Sequence, residues 1–130
     1  MSAERITAEL ELLRGWFPSL DYLEHGHWVR LPDYRIPAEI WRTDRVEVCF
    51  QIPAGLPGQA PYAFHARPRL TLADGRQPNN YTWPTTTGFG GEWGTFSWAL
   101  EPWAPTAQPT QGSNMLDFAR SIANRFREGA

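Results

Sequence analysis

Residues 45–52, RVEVCFQI, do most to limit what this chain can become. Val46, Val48, Phe50 and Ile52 alternate with Glu47, Cys49 and Gln51. Successive side chains of a strand point to opposite faces, so this pattern specifies a sheet with one apolar face and one partly polar face. A one-residue slip would turn the apolar set toward water, which fixes the register. The apolar face needs a cover, and both ends of the chain supply one. From Ser2 to Arg14, Ile6, Leu10 and Leu13 fall on one side of a helix, with Glu4 in its first turn and Gly15 as its stop. Asn114 caps a second helix whose inward stripe is Leu116, Ala119, Ile122, Ala123 and Phe126, with Arg125 and Arg127 in its last turn and Gly129 beyond.

Between the helices the chain reads as an antiparallel meander. HWVRL (27–31), AEIWR (38–42) and RVEVCFQI are separated by the breaker signals of PDYRIP and TDR, and RPRLTL (67–72) supplies a fourth short strand. PAGLPGQAP is a loop in which no element can persist. The span from Ala73 to Glu92 carries DGRQPNN and WPTTTGFGG, and a structureless stretch of that length in a small domain is functional or mobile. A length of 130 residues with 42% hydrophobic content builds one core without staples, so residues 1–130 are read as a single domain.

Charge removes several classes of function. Twelve basic and 14 acidic side chains are dispersed along the chain, so no basic stripe faces nucleic acid. No apolar run is long enough for a bilayer, and MSAERITAELELL mixes acidic residues into its apolar pattern, unlike a signal peptide. A cytoplasmic protein is expected. Cys49 is the single cysteine, which excludes an internal disulfide and a cysteine-based zinc cluster; no cofactor is expected. All twelve basic residues are arginine. Either codon usage in a GC-rich genome or avoidance of an acceptor amine near lysine-modifying machinery accounts for that.

Few residues carry a chemical signal. His25 and His27 form an H-x-H that His65 would have to join to make a metal site, and nothing in the sequence makes the three converge. Ser97 lacks the G-x-S-x-G frame of a hydrolase nucleophile and reads as an ordinary strand serine. Gly88, Gly90 and Gly91 precede an aromatic strand and not a helix, so they permit a bend and do not cradle phosphate. The alternation sets Glu47 and Gln51 beside Cys49, which reads as a structural thiol. Trp16, Trp28 and Trp41 are read as core. Trp83, Trp93, Trp98 and Trp103 cluster in and beside the irregular region, where they are either core or a recognition patch.

The order of the short motifs resembles the ubiquitin-conjugating enzymes, in particular their divergent bacterial branches. Tyr62, Phe64 and Pro68 in PYAFHARPRL resemble that family's Y-P-F-x-x-P turn, and Gln77, Pro78 and Asn79 its H-P-N with the histidine lost. Trp103, Ala104 and Pro105 match its W-x-P, and the helix from Asn114 to Arg127 the helix that follows. The resemblance implies an α+β ubiquitin-conjugating-enzyme-like fold: an N-terminal helix, a four-stranded antiparallel meander, a long irregular active-site-like region and a C-terminal helix. That family's chemistry needs a cysteine shortly after H-P-N to carry a thioester, and an asparagine to stabilise the oxyanion. Asn79 is present, but Phe96 or Ser97 falls at the cysteine position.

The resemblance therefore implies a catalytically inactive member that binds a ubiquitin-like protein or an activating-enzyme partner, in a bacterial conjugation system of the kind linked to antiviral defence. The implied binding residues are Asn79, Tyr81, Trp93, Phe96, Ser97, Trp98 and Trp103. Two alternatives stand beside it: an active noncanonical conjugating enzyme using Cys49, and a tryptophan-lined module for a small ligand such as a carbohydrate.

Overall fold

The computed structural model describes residues 2–130. The chain runs α1 (Ala3–Trp16), β1 (Asp21–Leu23), β2 (Trp28–Arg35), β3 (Arg45–Gln51), β4 (Tyr62–Arg67), β5 (Tyr81–Thr85), β6 (Trp93–Ala99) and α2 (Met115–Glu128). The strands form one antiparallel sheet in the order β1-β2-β3-β4-β6-β5. Both helix starts follow from their caps. The Ser2 hydroxyl accepts the Arg5 N–H at 3.1 Å, and the Asn114 side chain accepts that of Asp117 at 2.7 Å.

The inner face of the sheet meets α2. Phe118 packs edge-on to Phe50 at 5.2 Å between ring centroids, while Phe126 reaches Phe64 at 5.5 Å, Phe96 at 5.6 Å and Trp41 at 5.7 Å. Such offset and edge contacts suit the ring quadrupoles, and these rings are almost fully buried. The apolar stripe of α1, Ile6, Leu10 and Leu13, enters the same core.

This architecture corrects the expected fold. The molecule is not a conjugating-enzyme scaffold with a four-stranded meander and a long irregular active-site region; it is a six-stranded antiparallel sheet flanked by two terminal helices. AEIWR is not a strand, because the N–H groups of Ile40 and Trp41 both turn back to the Pro37 carbonyl, and Trp41 joins Leu72 only through an isolated bridge. The fourth strand is YAFHAR, upstream of RPRLTL, whose Pro68 has no N–H to give a ladder. The expected irregular span from Ala73 to Glu92 contains β5, which pairs with β6.

The outer face is crossed by one continuous rank of side chains, with Asp21, Arg30, Cys49, His65, Thr95 and Thr82 opposite one another on successive strands. Residues 86–92 fold over part of this face as a strap. Arg67 holds the strap: its guanidinium lies 4.1 Å from the Trp93 ring centroid, donates to the Gly90 carbonyl at 3.3 Å and pairs with Glu47 at 2.9 Å. Gly88 lies flat on the Trp28 indole, where an added Cβ would come within 2.4 Å of the ring. The sheet edges are modest. β1 is three residues long, and β5 carries Pro84.

Candidate binding groove

The residues singled out by the sequence do not form one exposed patch. Trp93 and Phe96 are both fully buried, the first under the strap and the second in the core. Trp98 is half-buried and donates its indole N–H to the Ser121 hydroxyl at 3.0 Å; Trp103 donates to the Pro57 carbonyl at 2.8 Å. The Tyr81 hydroxyl accepts the Leu70 N–H at 3.0 Å while its ring covers Gly94 and meets Phe96 at 4.6 Å. Asn79 and Ser97 are exposed. They lie near one another, since the Ser97 N–H donates to the carbonyl of Asn80, but the Asn79 carbonyl is occupied by Arg125 at 2.7 Å.

Cys49 faces His65 across β3 and β4, yet it has no open route to a reactant. It is fully buried, and burial pushes its thiol up to about 12, so the thiolate that attack requires is disfavoured. Burial also lowers His65, whose ring nitrogen Nδ1 is hydrogen-bonded to the Thr95 hydroxyl at 2.8 Å. A neutral thiol beside a neutral imidazole is not an activated pair. The other histidines lie apart: His25 is exposed, and the Nδ1 of His27 is paired with the Tyr22 hydroxyl at 2.6 Å. Among the described residues no three metal-ligating side chains come together.

A well-formed concavity lies elsewhere. Four segments enclose an open groove of about 950 Å³: the end of α1 (Trp16, Phe17), the end of β2 (Tyr34, Arg35), the chain after β6 (Leu100 to Pro102) and the outward side of α2 (Asp117 to Arg127). Its floor is aromatic, with the Phe17 and Tyr34 rings stacked at 5.9 Å and 15°. The Tyr34 hydroxyl donates to the Ala119 carbonyl at 2.7 Å, which fixes the ring against α2. Trp16 forms the rim and is 57% exposed, and the Arg120 guanidinium lies over it, 4.0 Å from the ring centroid.

Trp16 is therefore not the core residue its sequence context suggests, and the helix shows why. At about 100° per residue, Phe17 continues the stripe of Ile6, Leu10 and Leu13, whereas Trp16 falls to its side. That offset was the one local sign of the groove. Arg35, Arg120 and Arg127 make no ion pair among the described residues, while Asp33 is paired with Arg45 at 3.4 Å.

Comparisons of the chain with protein-family models, with curated proteins and with solved structures returned no match. Among the described residues, no helix is long and apolar enough to cross a membrane.

Proposed function

We propose that this chain is a noncatalytic protein-binding module that engages its partner through the groove between α1, β2 and α2. One observation carries the reading. Among the described residues Trp16 is one of two large hydrophobic side chains with most of their surface exposed, and it stands at the rim of the groove, over an aromatic floor and among arginines that make no ion pair. Tryptophan and arginine are the side chains that most often anchor protein interfaces. The other such residue, Tyr62, lies on β4 and does not line this groove.

The proposed partner is a ubiquitin-like protein or its activating enzyme in the cytoplasm. What supports that choice is the absence of any lysine that could accept a modifier. The buried state of Cys49 supports noncovalent association in preference to thioester chemistry.

The test is a titration of the ¹⁵N-labelled chain with a purified ubiquitin-like protein, following the seven indole N–H signals and the backbone amides. The Trp16 indole and the amides of Phe17, Arg120 and Asn124 are expected to shift while the Trp93 indole stays in place. Shifts confined to Asn79, Ser97 and Tyr62 would move the binding face off the groove. No shifts at saturating concentration would discard this partner.

A further inference from the structure

The groove has two ends of opposite charge. At one end stand Asp117, in the first turn of α2, and Glu101, three residues before Ala104, whose N–H donates to Ser113 beside that turn. At the other end are Arg127, in the last turn of α2, and Arg35, next to the Tyr34 ring that meets Phe126 at 6.0 Å. None of these four makes an ion pair among the described residues. The other two charges are already engaged with charged or aromatic partners, Asp33 with Arg45 and Arg120 with the Trp16 ring, while Arg127 donates only to the neutral Asn124 side chain.

We infer that the groove takes an extended peptide segment with one basic and one acidic side chain at its two ends and an apolar residue between them. This rests on the protein-binding role proposed above and names the part of the partner that does the docking. Ten residues separate Asp117 from Arg127, which along a helix is about 15 Å. An extended chain covers that distance in about five residues. The basic side chain lies against Glu101 and Asp117, the acidic one against Arg35 and Arg127, and the apolar one on Phe17 and Tyr34 at the Trp16 rim. Alternate side chains of an extended segment point the same way, so the first, third and fifth residues face the groove together.

Three capped pentapeptides test this by titration against the ¹⁵N-labelled full chain: Arg-Gly-Leu-Gly-Asp, Arg-Gly-Leu-Gly-Arg and Asp-Gly-Leu-Gly-Asp. The mixed peptide is expected to bind about fivefold more tightly than either like-charged one, as one added or removed exposed charge contact allows. All shifts should fall on the groove amides. Arg127→Glu leaves Arg35 opposed by a carboxylate and should abolish the preference for the mixed over the all-arginine peptide, and Asp117→Arg leaves Glu101 opposed by a guanidinium and should abolish the preference over the all-aspartate one. Both side chains are exposed, so the folded spectrum serves as the control. Equal affinities for the three peptides, shifts outside the groove, or no shifts at all overturn the inference. If a ubiquitin-like protein shifts the groove while the peptides show no charge preference, the segment inference alone fails. If the peptides show the preference and the ubiquitin-like protein does not bind, that partner alone is discarded.

Discussion

The carboxylate of Glu9, fully buried on α1, accepts the backbone N–H of Met115, the first residue of α2, at 2.8 Å. The same carboxylate takes the Arg5 Nε–H at 3.0 Å, and Arg5 Nη1 reaches on to the Thr106 carbonyl at 2.6 Å. One side chain thus fastens the two ends of the chain together, at a helix start where negative charge is favoured.

Glu9→Ala should cost about 3–5 kcal/mol, because it strands the buried Arg5 guanidinium and reopens the start of α2. Replacing Arg5 and Glu9 together by methionine should recover part of the loss, since no unpaired charge then remains inside although the Met115 N–H still lacks its acceptor. Urea denaturation of the two variants checks this. A loss below about 1 kcal/mol in Glu9→Ala would show that solvent reaches the pair.

Cys49 predicts a loss of stability in base. Its thiol is raised from 9.0 to about 12 in the folded chain, so above the unfolded value only the unfolded chain gives up the proton. The contribution is intact below pH 9 and is lost as pH climbs toward 12. Denaturation at pH 8 and pH 10.5 should show a larger fall for the parent than for Cys49→Ala. In the folded state the parent thiol should react with a disulfide reagent only as fast as the strap opens. Equal falls, or fast labelling at pH 8, would contradict the burial described above.

Ala63 sits at φ 69°, where the register between β4 and β6 shifts at the Tyr62 and Phe64 positions. An alanine there bears the steric cost of a left-handed conformation that glycine escapes. Ala63→Gly should therefore raise stability by about 1 kcal/mol, read as an upward shift of the urea midpoint with an unchanged slope. A fall in stability would mean that the local bend relaxes without glycine.

Gly94 is covered by the Tyr81 ring, and a Cβ at Gly94 would stand 2.3 Å from it. The ring has little freedom to retreat, because its hydroxyl holds the Leu70 N–H and its face meets Phe96. Gly94→Ala should cost about 1–3 kcal/mol as an overpacking change. In a Tyr81→Ala background the same substitution should cost much less. Additive losses in the double variant would dismiss this contact as the cause.

The parts of the fold that were legible in the sequence are those decided locally. Ser2 and Asn114 cap their helices through their own side chains, and the alternation of Val46, Val48 and Phe50 survives as buried positions of β3. The errors came where a distant partner decides. AEIWR has strand composition, but Pro37 begins a turn that delivers Trp41 to the core. The family motif makes YAFHAR a turn, although Phe64 and Ala66 alternate with His65 and Arg67 as a strand requires. β5 contains a proline and exists because β6 lies beside it. The groove was less legible still, since its floor, rim and ends come from four separate segments and only the displacement of Trp16 from the α1 stripe marks it locally.

The two sides of the sheet end in different ways: a three-residue strand at β1, and at β5 a strand whose Pro84 offers no donor. Neither is a good template for lateral growth. The backbone of both borders is thus poorly suited to accept a strand from another copy, which leaves the side chains of the groove, and not the sheet margins, as the means of association.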